Sequence, residues 1–237
     1  MHEMNRRQFL VASSALLLLP VSSWATVSPV RINSIIDLSH HHDIPAKKAK
    51  DSGVIAIIHK ATEGLTFHDK KYHSAKAEAK ALGLLWGSYH FSNNSSVAEQ
   101  VKNYLAYAKP EDDEVMCLDF EHNDGKEMTL KQAEEFVTLA KSEAGRFPML
   151  YGGAWMREQI GKNKNDILAQ CPLWYRRYAP TPKALPTQVW PTYTLWQYTD
   201  GKVGGAPISV NGIAIDRNYF QGTESELKAQ WPFTKRS

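Results

Sequence analysis

The chain has 237 residues, 43% of them hydrophobic and 22% charged, with 14 glycines and 12 prolines. That composition excludes disordered, collagen-like and coiled-coil sequence, and the length allows one large domain or two small ones. A net charge of +3 over 28 basic and 25 acidic residues is too balanced for an electrostatic nucleic-acid binder, and two cysteines cannot build a disulfide framework.

Residues Met1 to Ala25 read as an export signal. Arg6 and Arg7 supply the positive start, Phe9 to Pro20 the apolar stretch, and Ser23 and Ala25 the small residues that a signal peptidase requires. The apolar stretch is shorter than the roughly 20 residues that span a bilayer. Asn5-Arg6-Arg7-Gln8-Phe9-Leu10 is similar to the twin-arginine export motif. The mature chain is therefore expected to be exported, periplasmic or extracellular, monomeric and without a membrane anchor. Residues 26–33 are expected to form a short linker, 34–222 the folded domain and 223–237 a C-terminal tail.

Five apolar runs follow: Ser34 to Leu38, Val54 to Ile58, Leu84 to Phe91, Glu114 to Asp119 and Pro148 to Tyr151. Runs without polar alternation predict strands covered on both faces, as in a parallel sheet. Helical periods lie between and after them. A short helix fits within Ile44 to Asp51, and Tyr72, Ala75, Ala79 and Leu82 share a face after Asp69 as a cap. Val97, Val101, Leu105 and Ala108 follow a Ser96–Glu99 capping box and stop at Pro110. Ala133, Phe136, Val137 and Ala140 follow a Thr129–Gln132 box and stop at Gly145, and a last helix fits within Ala154 to Gln170. Beyond that point Leu173 to Tyr178, Tyr193 to Tyr198 and Ile213 to Tyr219 predict three strands joined by Pro- and Gly-rich links with no helical period. The fold class is thus α/β: an eight-stranded TIM-like barrel with about five helices, (β/α)5(β)3. A doubly wound sheet is disfavoured, because no Gly-rich phosphate loop follows the first strand.

In a parallel barrel, chemistry gathers at the C-terminal strand ends. Asp37 stands where the first strand meets Ser39-His40-His41-His42, and the fourth strand runs into Asp119-Phe120-Glu121. Side chains two apart on a strand face one way, so both of these carboxylates face one side with Cα atoms about 6.6 Å apart. Ile213-Ala214-Ile215 is expected to end in Asp216, giving four carboxylates on one rim; Glu63 is a weaker fifth. Paired carboxylates with aromatic neighbours are the equipment of glycoside hydrolysis. Glu121 is the better acid, because Asp119 and Asp37 resist its ionisation. Tyr89, Tyr151, Trp174 and Trp196 lie near strand ends where rings can stack on sugars. Lys60, Arg176, Arg177 and Arg217 offer cations to an anionic glycan.

At these residues the chain resembles the lysozymes of glycoside hydrolase family 25. The resemblance lies in Asp37-Leu38-Ser39, Ile58-His59-Lys60-Ala61-Thr62-Glu63-Gly64, Gly87-Ser88-Tyr89-His90-Phe91, Leu118-Asp119-Phe120-Glu121, Leu195-Trp196-Gln197-Tyr198 and Ile215-Asp216-Arg217-Asn218, in order along nearly the whole mature chain. It implies an eight-stranded barrel with five helices that cleaves the β-1,4 bond after N-acetylmuramic acid in peptidoglycan glycan strands, with no metal and no cofactor. It implies Glu121 as proton donor, Asp119 orienting the substrate's acetamido group, and Asp37 and Asp216 completing a charged floor. Two departures fall near the expected groove: His42 where family members often carry Gln, and Trp174-Tyr175-Arg176-Arg177-Tyr178 where they carry a Trp-Ile-Ala-Arg-Tyr-like run.

Two other functions fit parts of the sequence. The His40–His42 run suits a metal-dependent sugar deacetylase, although consecutive residues of an extended segment point apart. A wall-binding module that lost turnover would share the barrel, but has no need of several costly buried acids. Cys117 and Cys171 are expected to be buried free thiols.

Overall fold

The computed structural model describes residues 30–207, 209–210 and 212–234. The expected export signal lies outside the described residues. Along the chain the strands are β1 (Ile32–Leu38), β2 (Ala56–Glu63), β3 (Phe67–His68), β4 (Leu85–Phe91), β5 (Val115–Asp119), β6 (Met149–Gly152), β7 (Leu173–Arg176), β8 (Leu195–Thr199), β9 (Ser209–Val210), β10 (Ile213–Ala214) and β11 (Asp216–Phe220). The helices are α1 (Ala46–Asp51), α2 (Tyr72–Ala81), α3 (Val97–Ala108), α4 (Leu130–Ala144), α5 (Ala154–Ile160) and α6 (Glu224–Gln230), with a 3-10 turn at Leu168–Gln170.

Eight strands close a barrel in the order β1-β11-β8-β7-β6-β5-β4-β2, with β1 pairing β2 to complete the ring. From β1 through β8 the barrel neighbours are parallel. β11 runs antiparallel to both β1 and β8. Period-two alternation on each strand builds two cores. Ile35, Ile58, Val115, Cys117, Met149 and Leu195 point inward, while Ile36, Ile57, Met116, Leu118, Leu150 and Tyr175 point outward. Gly87 is required at its inward position, since a Cβ there would lie 2.8 Å from the Val115 Cβ.

The local signals that start and stop helices act as their chemistry predicts. Ser96 accepts from the Glu99 N–H at the head of α3, and Thr129 with Gln132 forms a complete capping box on α4. Gly145 ends α4 in the left-handed conformation that lacks a Cβ penalty. Asp69 does not cap α2: it is fully buried and accepts from the backbone N–H groups of His40 and Lys71, tying two loops together.

Three boundaries differ from expectation. Ile32 and Asn33, assigned to a linker, already belong to β1. The C-terminal segment is no tail, because α6 carries Leu227 and then Trp231 against the apolar floor of the barrel interior. Finally, Ile213–Ala214 pairs with Ser209–Val210 in a separate hairpin, so Asp216 starts the last barrel strand and does not end it. Among the described residues no helix is long and apolar enough to cross a membrane.

Candidate active site

The inward residues change character along the barrel axis, from the apolar floor to a polar layer at the C-terminal rim of the parallel strands. There a cavity of about 210 Å³ is lined by Asp37, Lys60, Tyr89, Asp119, Glu121, Tyr151, Trp174, Gln197 and Asp216, with Ser39, His41, Phe91 and Tyr178 at its edges. Phe120 is buried in the outer core, so Asp119 and Glu121 on either side of it face the cavity together.

A hydrogen-bond chain fixes the floor. Gln197 Nε2 donates to both oxygens of Asp37 (2.9 and 3.0 Å), and Asn218 Nδ2 donates to Asp37 Oδ2 (2.8 Å). The Tyr151 hydroxyl donates to Gln197 Oε1 (2.6 Å), and Trp174 Nε1 donates to Asn218 Oδ1 (2.6 Å). These bonds determine which way each amide points: the Trp174 indole N–H can only donate, which fixes the Asn218 oxygen, and the Asp37 oxygens require the Gln197 amide nitrogen to face them. On the opposite wall, Lys60 Nζ lies 4.8 Å from the Phe91 ring centroid and beside Glu63. Burial of one long cation there supplies counter-charge to the acids.

The acids share one electrostatic problem. Asp37 and Asp216 are register partners on antiparallel strands, which places two carboxyls face to face. Burial, followed by the Asp37 charge, pushes the Asp216 pKa up to about 9, so Asp216 holds a proton where an ordinary aspartate would not. Burial likewise raises Asp37, although the Asn218 and Gln197 hydrogen bonds pull it back. Asp119 is raised well above the usual range by burial and then by the Glu121 charge, and its Oδ1 has no hydrogen-bond partner among the described residues. Burial also pushes Glu121 up to about 7, against the Arg176 cation and with the Asp37 charge. Arg176 Nε lies 2.7 Å from Glu121 Oε1 in an ion pair. Phenols at the wall, Tyr89 and Tyr151, are raised by burial and remain neutral donors.

Of the residues singled out in the sequence, Asp37, Lys60, Tyr89, Asp119, Glu121, Tyr151, Trp174 and Asp216 come together around this cavity. Trp196 does not. It is fully buried on the outer side of β8, its Nε1 donating to Arg177 O (2.8 Å), because the neighbouring inward position is taken by Gln197. Arg217 also points outward, donating to Ser209 O and Asn33 O, as its place between inward Asp216 and Asn218 requires. His42 does not line the cavity either: its Nδ1 accepts from the Ser39 N–H (3.1 Å), while His41 reaches the rim in its place.

His40 turns to Asp69 and His42 to the Ser39 N–H, and among the described residues the run does not gather as a metal-ligand set. Among the described residues, three potential ligand groups gather at Glu111, Asp113 and Glu114, before β5 at the far end of the barrel, where Lys76 and Lys80 pair with them. Gln197 and Asn218 were missed as site residues. Strand alternation from Asp216 and from Leu195 was the signal that could have found them. Both cysteines are free and buried.

Comparisons with known proteins agree with this geometry. The family described as "Glycosyl hydrolases family 25" matches residues 36–205, so Asp216 and Asn218 lie beyond the matched stretch. Lysozyme M1 of Streptomyces globisporus is 28% identical over 223 residues, covering 86% of this chain and 74% of its own length. An N,O-diacetylmuramidase of Arthroderma benhamiae is 26% identical, over 72% of this chain and 78% of its own. Among solved structures, a family GH25 lysozyme from Aspergillus fumigatus superposes with a TM-score of 0.71 at 28% identity, covering 84% of this chain and 98% of that one. A muramidase from Trichobolus zukalii gives the same TM-score of 0.71, at 28% identity over 82% of this chain and 96% of its own. The chain belongs to glycosyl hydrolase family 25, and it is a glycoside hydrolase built on a TIM-like barrel.

Proposed function

We propose that this family 25 hydrolase cleaves the β-1,4 bond between N-acetylmuramic acid and N-acetylglucosamine in peptidoglycan, with Glu121 as the general acid. One observation carries the reading: a buried carboxyl with its pKa near 7 stands beside a second carboxyl at an aromatic-walled cavity. Such a group is still substantially protonated at neutral pH and can deliver its proton to the departing sugar oxygen. Asp119 lies deeper, where it is suited to orient the acetamido group that assists departure. Asp37 and Asp216 hold the floor against which positive charge at the sugar carbon develops. The names of the similar lysozymes and muramidases support the polymer, and Lys60 and Arg176 offer cations toward an anionic glycan. Residues 1–25, read as an export signal of the twin-arginine type, would carry the enzyme to that polymer.

Digestion of purified cell wall, followed by borohydride reduction and sugar analysis, tests the assignment. Muramitol is the expected new end; N-acetylglucosaminitol, or equal rates on chitin oligomers, overturns it. Glu121→Gln should lose about a hundredfold or more in turnover with an unchanged circular dichroism spectrum, because the amide cannot donate the required proton. Retention of more than about a tenth of the rate would show that the acid lies elsewhere.

A further inference from the structure

We propose that Arg176 is the positioning residue for the acid, holding the Glu121 carboxyl through its Nε and thereby setting the alkaline limit of activity. The inference rests on the reading of Glu121 as general acid.

Three observations carry it. Glu121 Oε1 is buried and receives no well-directed hydrogen bond, so the Arg176 Nε at 2.7 Å is the group that compensates its charge. The guanidinium is itself located: it lies 5.5 Å from the Tyr178 ring centroid and passes close over Gly153. A Cβ at Gly153 would lie 2.9 Å from Arg176 Nε and 3.4 Å from Arg176 Cβ, so the bare backbone after β6 leaves the space the arginine occupies.

Several ionisable groups face Glu121 around the cavity. Asp37 from β1 opposes its ionisation, Asp119 from β5 and Asp216 at the start of β11 are acids whose own pKa values the Glu121 charge raises, and Lys60 from β2 is the second cation. Tyr89, Tyr151 and Tyr178 are phenols raised by burial, and His41 sits at the rim. His122, the next residue, turns away to Glu127 at 3.0 Å. Of these, Arg176 is the cation in contact with the carboxyl. A cation in contact favours the ionised acid, so it lowers the pH at which Glu121 loses its proton. Taking it away leaves burial and like charge unopposed, and the proton is then kept to higher pH.

The pH profile of kcat/KM on purified peptidoglycan reads this out. Arg176→Gln should move the alkaline limb upward by about one pH unit or more, and lower the plateau because the carboxyl is no longer held. Arg176→Lys should bring the limb back toward wild type by restoring the charge. Arg176→Met, of similar length, repeats the measurement if the amide variant does not fold. An alkaline limb that stays in place or moves down in the folded variant overturns the proposal. Infrared titration of the Glu121 carboxyl in the free enzyme, identified by its disappearance in Glu121→Gln, should show the same upward displacement. Because that signal needs no turnover, it separates the role of Arg176 from the choice of Glu121 as acid: if Glu121→Gln kept its activity, the acid assignment would fall while the titration still reported on the pair.

Discussion

The two sides of the barrel reach the same rim by different routes. On the helix-covered side, β5 ends in Asp119 and the chain continues into the site, so a parallel strand delivers its acids at its C-terminus. Its outer face is covered by amphipathic helices, with Val101 of α3 and Phe136, Val137 and Ala140 of α4 in the outer core. On the other side no helix covers β8 and β11 among the described residues. There Trp196, Tyr198 and Tyr219 pack ring against ring, with the Arg31 guanidinium 4.3 Å over Tyr219, and loops take the place of helices. The last strand is reversed, and Asp216 reaches the rim at its start. What brings a side chain to the site is its height in the barrel register; chain direction is secondary.

If aromatic packing replaces helices on the second side, its loss should be costly to stability and indifferent to chemistry. Trp196→Ala should cost about 3–5 kcal/mol in denaturant unfolding, while KM of the folded fraction stays within about twofold. A tenfold rise in KM without loss of stability would return Trp196 to the groove and break the distinction. Where the two routes meet, at Asp37 and Asp216, the prediction has the opposite sign. The Asp216 pKa is raised on folding to about 9, so its contribution to stability is fully present below the ordinary carboxylate range and is lost as pH rises toward that value. Asp216→Asn should therefore raise the melting temperature relative to wild type at pH 7–8, with little gain at pH 4, and reduce turnover. Equal effects at both pH values would argue against the facing pair. The smallest effect belongs to the helix-covered side: Thr129→Ala, which opens the α4 capping box, should cost about 1 kcal/mol and leave the pH profile unmoved.

Much of this was legible in the sequence, for identifiable reasons. The capping boxes, the continuous apolar strands and the change from helix-linked to loop-linked strands are local patterns, written in the spacing of neighbouring residues and visible without partners. Asp119 and Glu121 could be paired on paper because two residues along an extended chain share a face. Gln197 and Asn218 were less visible: each is an ordinary amide in its own strand and becomes a site residue by meeting Asp37 from another. Trp196 was misplaced by one residue, and in a strand one residue is the difference between the cavity and the outer core.

The sequence by itself thus determined the helices between the parallel strands, the apolar barrel strands and the acid pair, because helix caps, apolar runs and strand alternation act over a few residues. The tertiary structure alone decided which way the last strand runs, that Asp216 faces Asp37, that Arg176 meets Glu121 over Gly153, and that α6 closes the barrel floor. These are contacts between segments far apart in the chain. Their geometry follows from register and barrel closure, quantities that no local window contains.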